Sequence, residues 1–447
     1  MVILRFAPSP TGLLHVGNAR TALVNWLFAK RHQGTFILRY DDTDLVRSKE
    51  EYASAIAQDM AWLGWDHDAV YYQSKRLPLY EKAFEILKAS GRLYPCYETP
   101  QELDFKRKRL LSMGKPPLYD RASLNLSTEQ KEAYEKEGRT PHWRFLLEHR
   151  AVAWQDLARG PLSYDGASLS DPILVREDGS FVYTFCSVVD DLDMKVTHIL
   201  RGNDHISNTA VQIQLLEALG GNAADINFGH FPLLVGENGE ALSKRLGSLS
   251  LQEMRENGVE AMAISSYLAH LGTRDEITPE TTLTPLIEHF DPSAFSANTP
   301  KFSPTDLKRL SAKLLHRMSY DQVKDRLSHM QLAHITEDFW QMARENIETL
   351  GEVAGLWDIC HGAFSPTPRA DDAPYLKEAL ALLPEEPWDE NTWQTWTASL
   401  KEQTGRQGRA LFLPLRWALT GLEHGPEMKK ILPFIGREIV QARLRSA

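Results

Sequence analysis

At 447 residues the chain has room for about two to four domains, and with 43% hydrophobic and 25% charged residues it has the composition of an ordinary globular protein that buries a large core unaided. Its three cysteines, Cys96, Cys186 and Cys360, lie far apart, which argues against a disulfide framework and suits a reducing compartment. The net charge of −10 weighs against a nucleic-acid partner only in the sum, because local distribution decides such binding. Basic residues do cluster, at Lys106-Arg107-Lys108-Arg109, at Lys308-Arg309 with Lys301, at Lys429-Lys430, and at Arg437 with Arg443 and Arg445. Each cluster reads first as a solvated helix face. The opening Met-Val-Ile-Leu-Arg-Phe-Ala-Pro lacks the charged and apolar regions of a signal peptide. No run approaches the ~18 apolar residues of a membrane span. A cytoplasmic location with no membrane partner is expected.

Val2 to Phe6 reads as a short strand that carries Arg5. A Pro/Gly-rich turn leads into a helix from about Asn18 to His32, with Ala19, Leu23, Trp26 and Leu27 at helical spacing. Gly34 is expected to stop it as a C′ glycine. Thr35 to Tyr40 returns as a strand, which makes the start of a parallel βαβ unit. Ser48 with Glu51 predicts a capping box for a helix carrying Ile56, Met60 and Leu63 and ending at Gly64. Tyr80, Phe84 and Leu87 mark another helix, closed by Gly91. From about Leu93 to Val189 the pattern changes to short β-like pieces, such as Ser180–Phe185, with a charged helix near Thr99–Met113. That stretch reads as an insertion between two halves of one sheet domain. Val196–Leu200 is the next expected strand, followed by a helix with Val211, Leu215 and Leu219 and by the apolar strand Phe231–Val235. From about Gln252 the chain is mostly helical, without a fixed-period repeat.

The chemistry gathers first in Pro8–Asn18. A strand feeds through Pro8, Pro10 and Gly12 into a helix opening near Gly17. The unpaired N–H groups and positive dipole end of such a helix seat phosphate, Gly17 lets a nucleotide approach the backbone, and His15 can donate to a phosphate oxygen. The eleven-residue string, in strand–helix context, carries far more weight than a bare His-x-Gly. These residues resemble the signature of class I aminoacyl-tRNA synthetases, whose His-Ile-Gly-His tetrapeptide stands here as His15-Val16-Gly17-Asn18. Arg5-Phe6-Ala7-Pro8-Ser9-Pro10-Thr11-Gly12 resembles the opening of the glutamyl and glutaminyl branch. Ala241-Leu242-Ser243-Lys244-Arg245 resembles the second signature, a Lys-Met-Ser-Lys-Ser loop, with Ala241 where Lys is usual.

Further blocks extend the resemblance. Arg39-Tyr40-Asp41-Asp42-Thr43-Asp44 is similar to Arg-Ile-Glu-Asp-Thr-Asp, with Asp41 in place of Glu. Phe181 to Asp191 and Leu200-Arg201-Gly202-Asn203-Asp204-His205 resemble two blocks of the glutamyl enzymes, with Ser187 where Asn is usual. Gly405-Arg406-Gln407-Gly408 and Pro414 to Gly421 resemble the end of the bacterial helical anticodon-binding domain. The likeness spans nearly the whole chain and is thinnest from about Thr278 to Leu400.

The resemblance implies an α/β fold: a Rossmann-like parallel-sheet catalytic domain with an α+β insertion, followed by an all-α C-terminal anticodon-binding region. The expected boundaries are residues 1–92 for the first catalytic half, 93–189 for the acceptor-end-binding insertion, 190–251 for the second half with the Ser-Lys-Arg loop, 252–320 for a stem-contact helical region and 321–447 for the anticodon-binding domain. It implies ATP-dependent ligation of L-glutamate to tRNA(Glu) through a glutamyl-adenylate, with His15 and Lys244 as catalytic groups. ATP would be held by Ala7, Pro8, Ser9, Thr11, Gly17, Asp204, Leu242, Ser243 and Lys244, and glutamate by Arg5, Ser9, Asp41, Tyr183, Ser187 and Arg201. Arg5 is the residue on which specificity is expected to turn, because a guanidinium takes a carboxylate as a bidentate pair. Such a contact contributes roughly 1.5–3 kcal/mol, or about 10–150-fold. Mg²⁺ is expected with ATP. No zinc is expected, since Cys96 stands alone where some relatives carry a Cys-x-Cys and a later Cys. A monomer is expected. Three rivals remain at this point: a specialised enzyme that glutamylates tRNA(Gln), a base-modifying paralogue, which would lack the C-terminal helices, and a non-catalytic RNA-binding paralogue, which would have lost His15 or Lys244.

Overall fold

The computed structural model describes residues 1–242, 250–362 and 370–446. They form two compact units, one of residues 1–254 with 265–303, the other of residues 255–264 with 304–447. The first unit opens with β1 (Ile3–Phe6), α1 (Val16–Arg31), β2 (Thr35–Tyr40), α2 (Glu50–Leu63), β3 (Ala69–Tyr72) and α3 (Leu77–Ala89). Then come β4 (Leu93–Cys96), α4 (Pro100–Ser112), α5 (Thr128–Lys136), β5 (His142–Phe145), β6 (Ala151–Asp156), β7 (Gly160–Asp165) and β8 (Ile173–Val175). The unit continues with α6 (Tyr183–Asp193), β9 (His198–Gly202), α7 (Ile206–Ala218) and β10 (Asn227–Phe231).

Strands β1, β2 and β3 pair in parallel. Five of the six β2 residues are buried, as expected of a parallel strand covered on both faces. A second sheet runs β7-β6-β10-β9, with β10 parallel to both β9 and β6. The two sheets meet at a seam: the Thr197 N–H donates to the Ile3 carbonyl at 2.9 Å and the Ile3 N–H donates to Thr197 Oγ1 at 2.8 Å. Strand order is therefore β3-β2-β1-β9-β10, and it reverses direction in the chain between β1 and β9. A small antiparallel sheet, β4-β5-β8, stands within the 93–189 stretch. The hairpin β6–β7 from that same stretch extends the large sheet rather than standing apart from it.

Several local expectations change. The α2 helix has Lys49 at its N-cap and no side-chain cap. The N–H groups of Ser48 and Lys49 already donate to the Asp44 and Pro10 carbonyls, and Glu51 pairs with Lys49 Nζ, so no capping box forms between Ser48 and Glu51. At the end of α1 it is Gln33, with φ 51°, that takes the left-handed position. Gly34 follows it, where a Cβ would meet the Val2 carbonyl oxygen at 2.5 Å. Ser180–Phe185 is not a strand. Val182 caps α6, which buries Phe185, Val188 and Val189 at helical spacing. The strand expected at Val196–Leu200 lies at His198–Gly202, and the one expected at Phe231–Val235 lies at Asn227–Phe231, paired in register with it. Val235 makes isolated bridges to Ala241 and Lys301 instead. Strand β3 carries no apolar alternation and has no counterpart in the sequence reading.

The second unit is helical, from Pro304–Leu315 through Arg437–Arg445. Its core holds Trp340, Phe339, Trp396, Leu415 and Ile431, all fully buried. Among the described residues no helix is long and apolar enough to cross a membrane.

Candidate functional site

In an open parallel sheet, ligands bind outside the carboxyl ends of the strands where strand order reverses. A cavity of about 1100 Å³ opens at that place, lined from the ends of β1, β2, β9 and β10 and the start of α1. The loop after β1 is tied to its neighbours: the Asp41 N–H donates to the Pro8 carbonyl at 3.0 Å and the Lys49 N–H to the Pro10 carbonyl at 3.0 Å. His15 caps α1, its Nδ1 accepting from the Gly17 N–H at 3.2 Å. In a neutral ring the proton then sits on Nε2. A Cβ at Gly17 would crowd this folded-over ring, meeting His15 Cε1 at 3.0 Å and Nδ1 at 3.2 Å.

The cavity floor rests on a buried ionic network, part of which lines it. Arg5 donates through Nε and Nη2 to the two Asp191 oxygens, at 2.9 and 3.1 Å. Arg39, fully buried, reaches Asp41 through Nε at 2.7 Å, Asp191 through Nη1 at 2.8 Å and the Ser187 hydroxyl through Nη2 at 3.0 Å. Asp190 accepts from Arg76 Nε at 2.7 Å, Gln73 Nε2 at 2.9 Å and the Tyr80 hydroxyl. Burial pushes the Asp41 carboxyl up to about 6, against the pull of Arg39. Burial also penalises the Asp191 charge, but Arg5 and Arg39 outweigh it and hold that carboxyl below the usual range.

Arg201, at the end of β9, differs from Arg5 and Arg39 in having no hydrogen-bonded carboxylate. Its Nη2 donates to Thr209 Oγ1 at 2.5 Å and Gln212 Oε1 at 2.6 Å, and its Nε to His230 Nε2 at 3.3 Å. Its Nη1 is buried and receives no hydrogen-bond acceptor of normal geometry, on a side chain that lines the cavity; the Tyr183 hydroxyl is the polar group beside this guanidinium. A guanidinium edge left unsatisfied in a cavity wall fits an anionic ligand group. The Tyr183 ring lies on the same wall, 6.0 Å from the His205 ring.

The structure brings most of the expected residues to this one cavity. Ala7, Pro8, Ser9, Thr11, Gly17, Asp204 and Leu242 line it with His15, and so do Arg5, Asp41, Tyr183 and Arg201. Ser187 does not; it is fully buried behind the wall, on Arg39. Ser243, Lys244 and Arg245 lie outside the described residues. Both flanks of that segment are close by: Leu242 lines the cavity and Ser250 bridges to His15. The sequence reading missed the Arg39, Asp190 and Asp191 network, His230 and Arg20. Arg20 lines the cavity, donates to the Pro232 and Leu271 carbonyls at 2.8 and 2.9 Å, and is lowered by burial to about 10. Polar residues on a mostly buried helix, such as Arg20 and Asn25, were the available signal.

Residues 1–309 match the family described as tRNA synthetases class I (E and Q), catalytic domain, and residues 309–447 match the anticodon binding domain family. The chain belongs to the class I tRNA synthetases of the E and Q type. This synthetase is 51% identical to the glutamate–tRNA ligase of Azospirillum brasilense, across 99% of its own length and 98% of that relative. It is 50% identical to glutamate–tRNA ligase 1 of Chelativorans sp. (strain BNC1), across 99% of both chains. Among solved structures, the glutamate–tRNA synthetase of Elizabethkingia anophelis superposes with a TM-score of 0.84 at 26% identity, covering 99% of each chain. A glutamate tRNA ligase from Elizabethkingia meningosepticum in complex with its amino acid gives the same TM-score at 25% identity, covering 99% of this chain and 98% of that one.

Proposed function

We propose that the chain ligates L-glutamate to tRNA(Glu) in two steps, with ATP as the energy source. The observation that carries the amino-acid assignment is the buried Arg201 guanidinium on the cavity wall, which has no hydrogen-bonded carboxylate and whose Nη1 makes no hydrogen bond of normal geometry. The glutamate side-chain carboxylate would accept from it, with Tyr183 alongside and the Arg5 Nη1 edge as second donor. The pairing of Arg5 with Asp191 leaves that guanidinium fixed but half neutralised, so Arg201 is the stronger discriminator. Glutamine would leave a buried positive charge unmatched, at a cost of roughly 1.5–3 kcal/mol or more. Asp41 would take the α-ammonium group.

The glutamate α-carboxylate attacks the ATP α-phosphorus and pyrophosphate leaves. No side-chain nucleophile is needed, so the protein's work is positioning and charge stabilisation. The α1 N-terminus and the His15 Nε2–H would face the phosphates, and Lys244 would add its charge from the segment after Leu242. ATP is proposed to bring Mg²⁺ with it. Asp204, about half exposed on the cavity wall, is a hard oxygen donor of the kind Mg²⁺ takes alongside phosphates. The 2′-hydroxyl of the tRNA terminal adenosine then attacks the adenylate carbonyl and AMP leaves.

We propose no zinc site at Cys96. Burial pushes its thiol up to about 11, the Tyr119 hydroxyl donates to Sγ at 3.6 Å, and a thiol kept protonated is a poor ligand. The test of the whole proposal is pyrophosphate exchange with glutamate, with and without tRNA, followed by charging of tRNA(Glu) and tRNA(Gln) side by side. Glutamate-dependent exchange and charging of tRNA(Glu) are expected. Absence of exchange under every tRNA condition overturns the enzyme reading.

A further inference from the structure

Behind Arg201 stands a second buried pair, neither member of which lines the cavity itself. His230, on β10, is fully buried, and Asp156, at the end of β6, is 2% exposed. Asp156 Oδ2 lies 2.5 Å from His230 Nδ1. The opposite nitrogen, Nε2, lies 3.3 Å from Arg201 Nε and 2.9 Å from Thr209 Oγ1.

Donor chemistry fixes the protons. A guanidinium can only donate, so His230 Nε2 must present its lone pair to Arg201. The ring proton then sits on Nδ1 and is donated to Asp156. Asp156 can only accept while ionised, and its surroundings match: the N–H groups of His230, Ala158 and Arg159 converge on Oδ1, each at 3.1 Å, and the Trp154 indole N–H reaches Oδ2 at 3.3 Å. Burial alone would raise the Asp156 carboxyl; His230 and these donors hold it below the usual range. The charged groups facing His230 are Asp156, Arg201 and Arg159, with His205 nearby. Burial lowers His230 and Arg201 adds to the effect, while Asp156 opposes it. A neutral ring with one tautomer is therefore favoured.

We propose that Asp156 and His230 are positioning residues that lock the Arg201 guanidinium in the orientation which presents Nη1 to the glutamate side-chain carboxylate. The inference rests on the reading of Arg201 as the glutamate contact. It makes β6, a strand that itself contributes no residue to the cavity lining, a determinant of amino-acid affinity.

The test uses the full chain with tRNA in pyrophosphate exchange. D156N is close in shape, but its amide can donate to Nδ1 and so favours the Nε2–H tautomer, which opposes the Arg201 Nε–H. Its glutamate KM should rise about tenfold or more, with ATP KM and kcat within about twofold of the parent. H230Q keeps an acceptor near the Nε2 place without a tautomer, so its glutamate KM should stay within about threefold, whereas H230L should lose about as much as D156N. D156N with an unchanged glutamate KM, or with ATP KM raised by the same factor, overturns the proposal. Should D156N fold poorly, the H230Q and H230L pair decides, and equal glutamate KM values in those two overturn it. R201K separates the two readings. An unchanged glutamate KM in R201K removes the Arg201 reading; a raised value beside a neutral D156N removes only the positioning pair.

Discussion

Asp191→Asn tests the idea that the cavity floor is held by charge rather than by packing. Asp191 is 2% exposed and accepts from Arg5 Nε, Arg5 Nη2 and Arg39 Nη1 between 2.8 and 3.1 Å. The amide removes one full negative charge from between two guanidiniums and turns one accepting atom into a donor that faces donors. Breaking a buried pair from one side costs about 3–5 kcal/mol, because the partner charge stays buried. Arg39 keeps Asp41, which places the expectation near the lower end, about 3 kcal/mol. With a urea m-value of about 3 kcal/mol per molar, the unfolding midpoint of the sheet unit should fall by about 1 M. Urea is the denaturant of choice, since guanidinium salts would screen the charges being probed. The pH dependence has a definite sign: the Asp191 carboxyl is held below the usual range, so its stabilisation is complete at neutral pH and is lost as pH falls through that lowered value. D191N should lack this acid loss. A midpoint within about 0.3 M of the parent, or an unchanged acid limb, would refute the reasoning.

Gly17→Ala should lower kcat for exchange by about 10²-fold with little change in melting temperature, because the new Cβ meets His15 Cε1 at 3.0 Å and Nδ1 at 3.2 Å and displaces the ring; an unchanged kcat counts against a role for His15. Asp41 has the opposite stability sign to Asp191. Burial raises it to about 6, so its contribution is full below the ordinary carboxylate range and is lost as pH rises through about 6. For substrate the direction reverses, since the α-ammonium group needs the ionised form. The glutamate kcat/KM should fall below about pH 6, and D41N should be uniformly low without that break; the same break in D41N would assign it elsewhere.

What the sequence made legible was local. Pro8–Asn18 and Thr35–Tyr40 carry their own turn residues and apolar spacing, and both stand where expected, with the strand at Thr35–Tyr40 and the turn leading into α1. Contacts between distant residues were not legible. Arg39 pairs with Asp191 across 152 positions and Arg5 with Asp191 across 186, and no local pattern announces either. The shifted β10 has the same cause: Asn227 and His230 look unlike a buried strand until Asp156 is placed against His230. The Tyr183 helix misled through its β-branched and aromatic start, although Phe185, Val188 and Val189 already stood at helical spacing.

The seam between Ile3 and Thr197 sets an order of events during translation. The inner edge of β1 has its neighbour 194 residues downstream. At a synthesis rate of about 5–20 residues per second, roughly 10–40 seconds pass between the emergence of the two strands. For that interval β1 presents unpaired backbone groups and an apolar face at an open edge, a template for pairing with other chains. Completing the cavity floor and removing that hazard are therefore one event, reached when the second half of the sheet arrives.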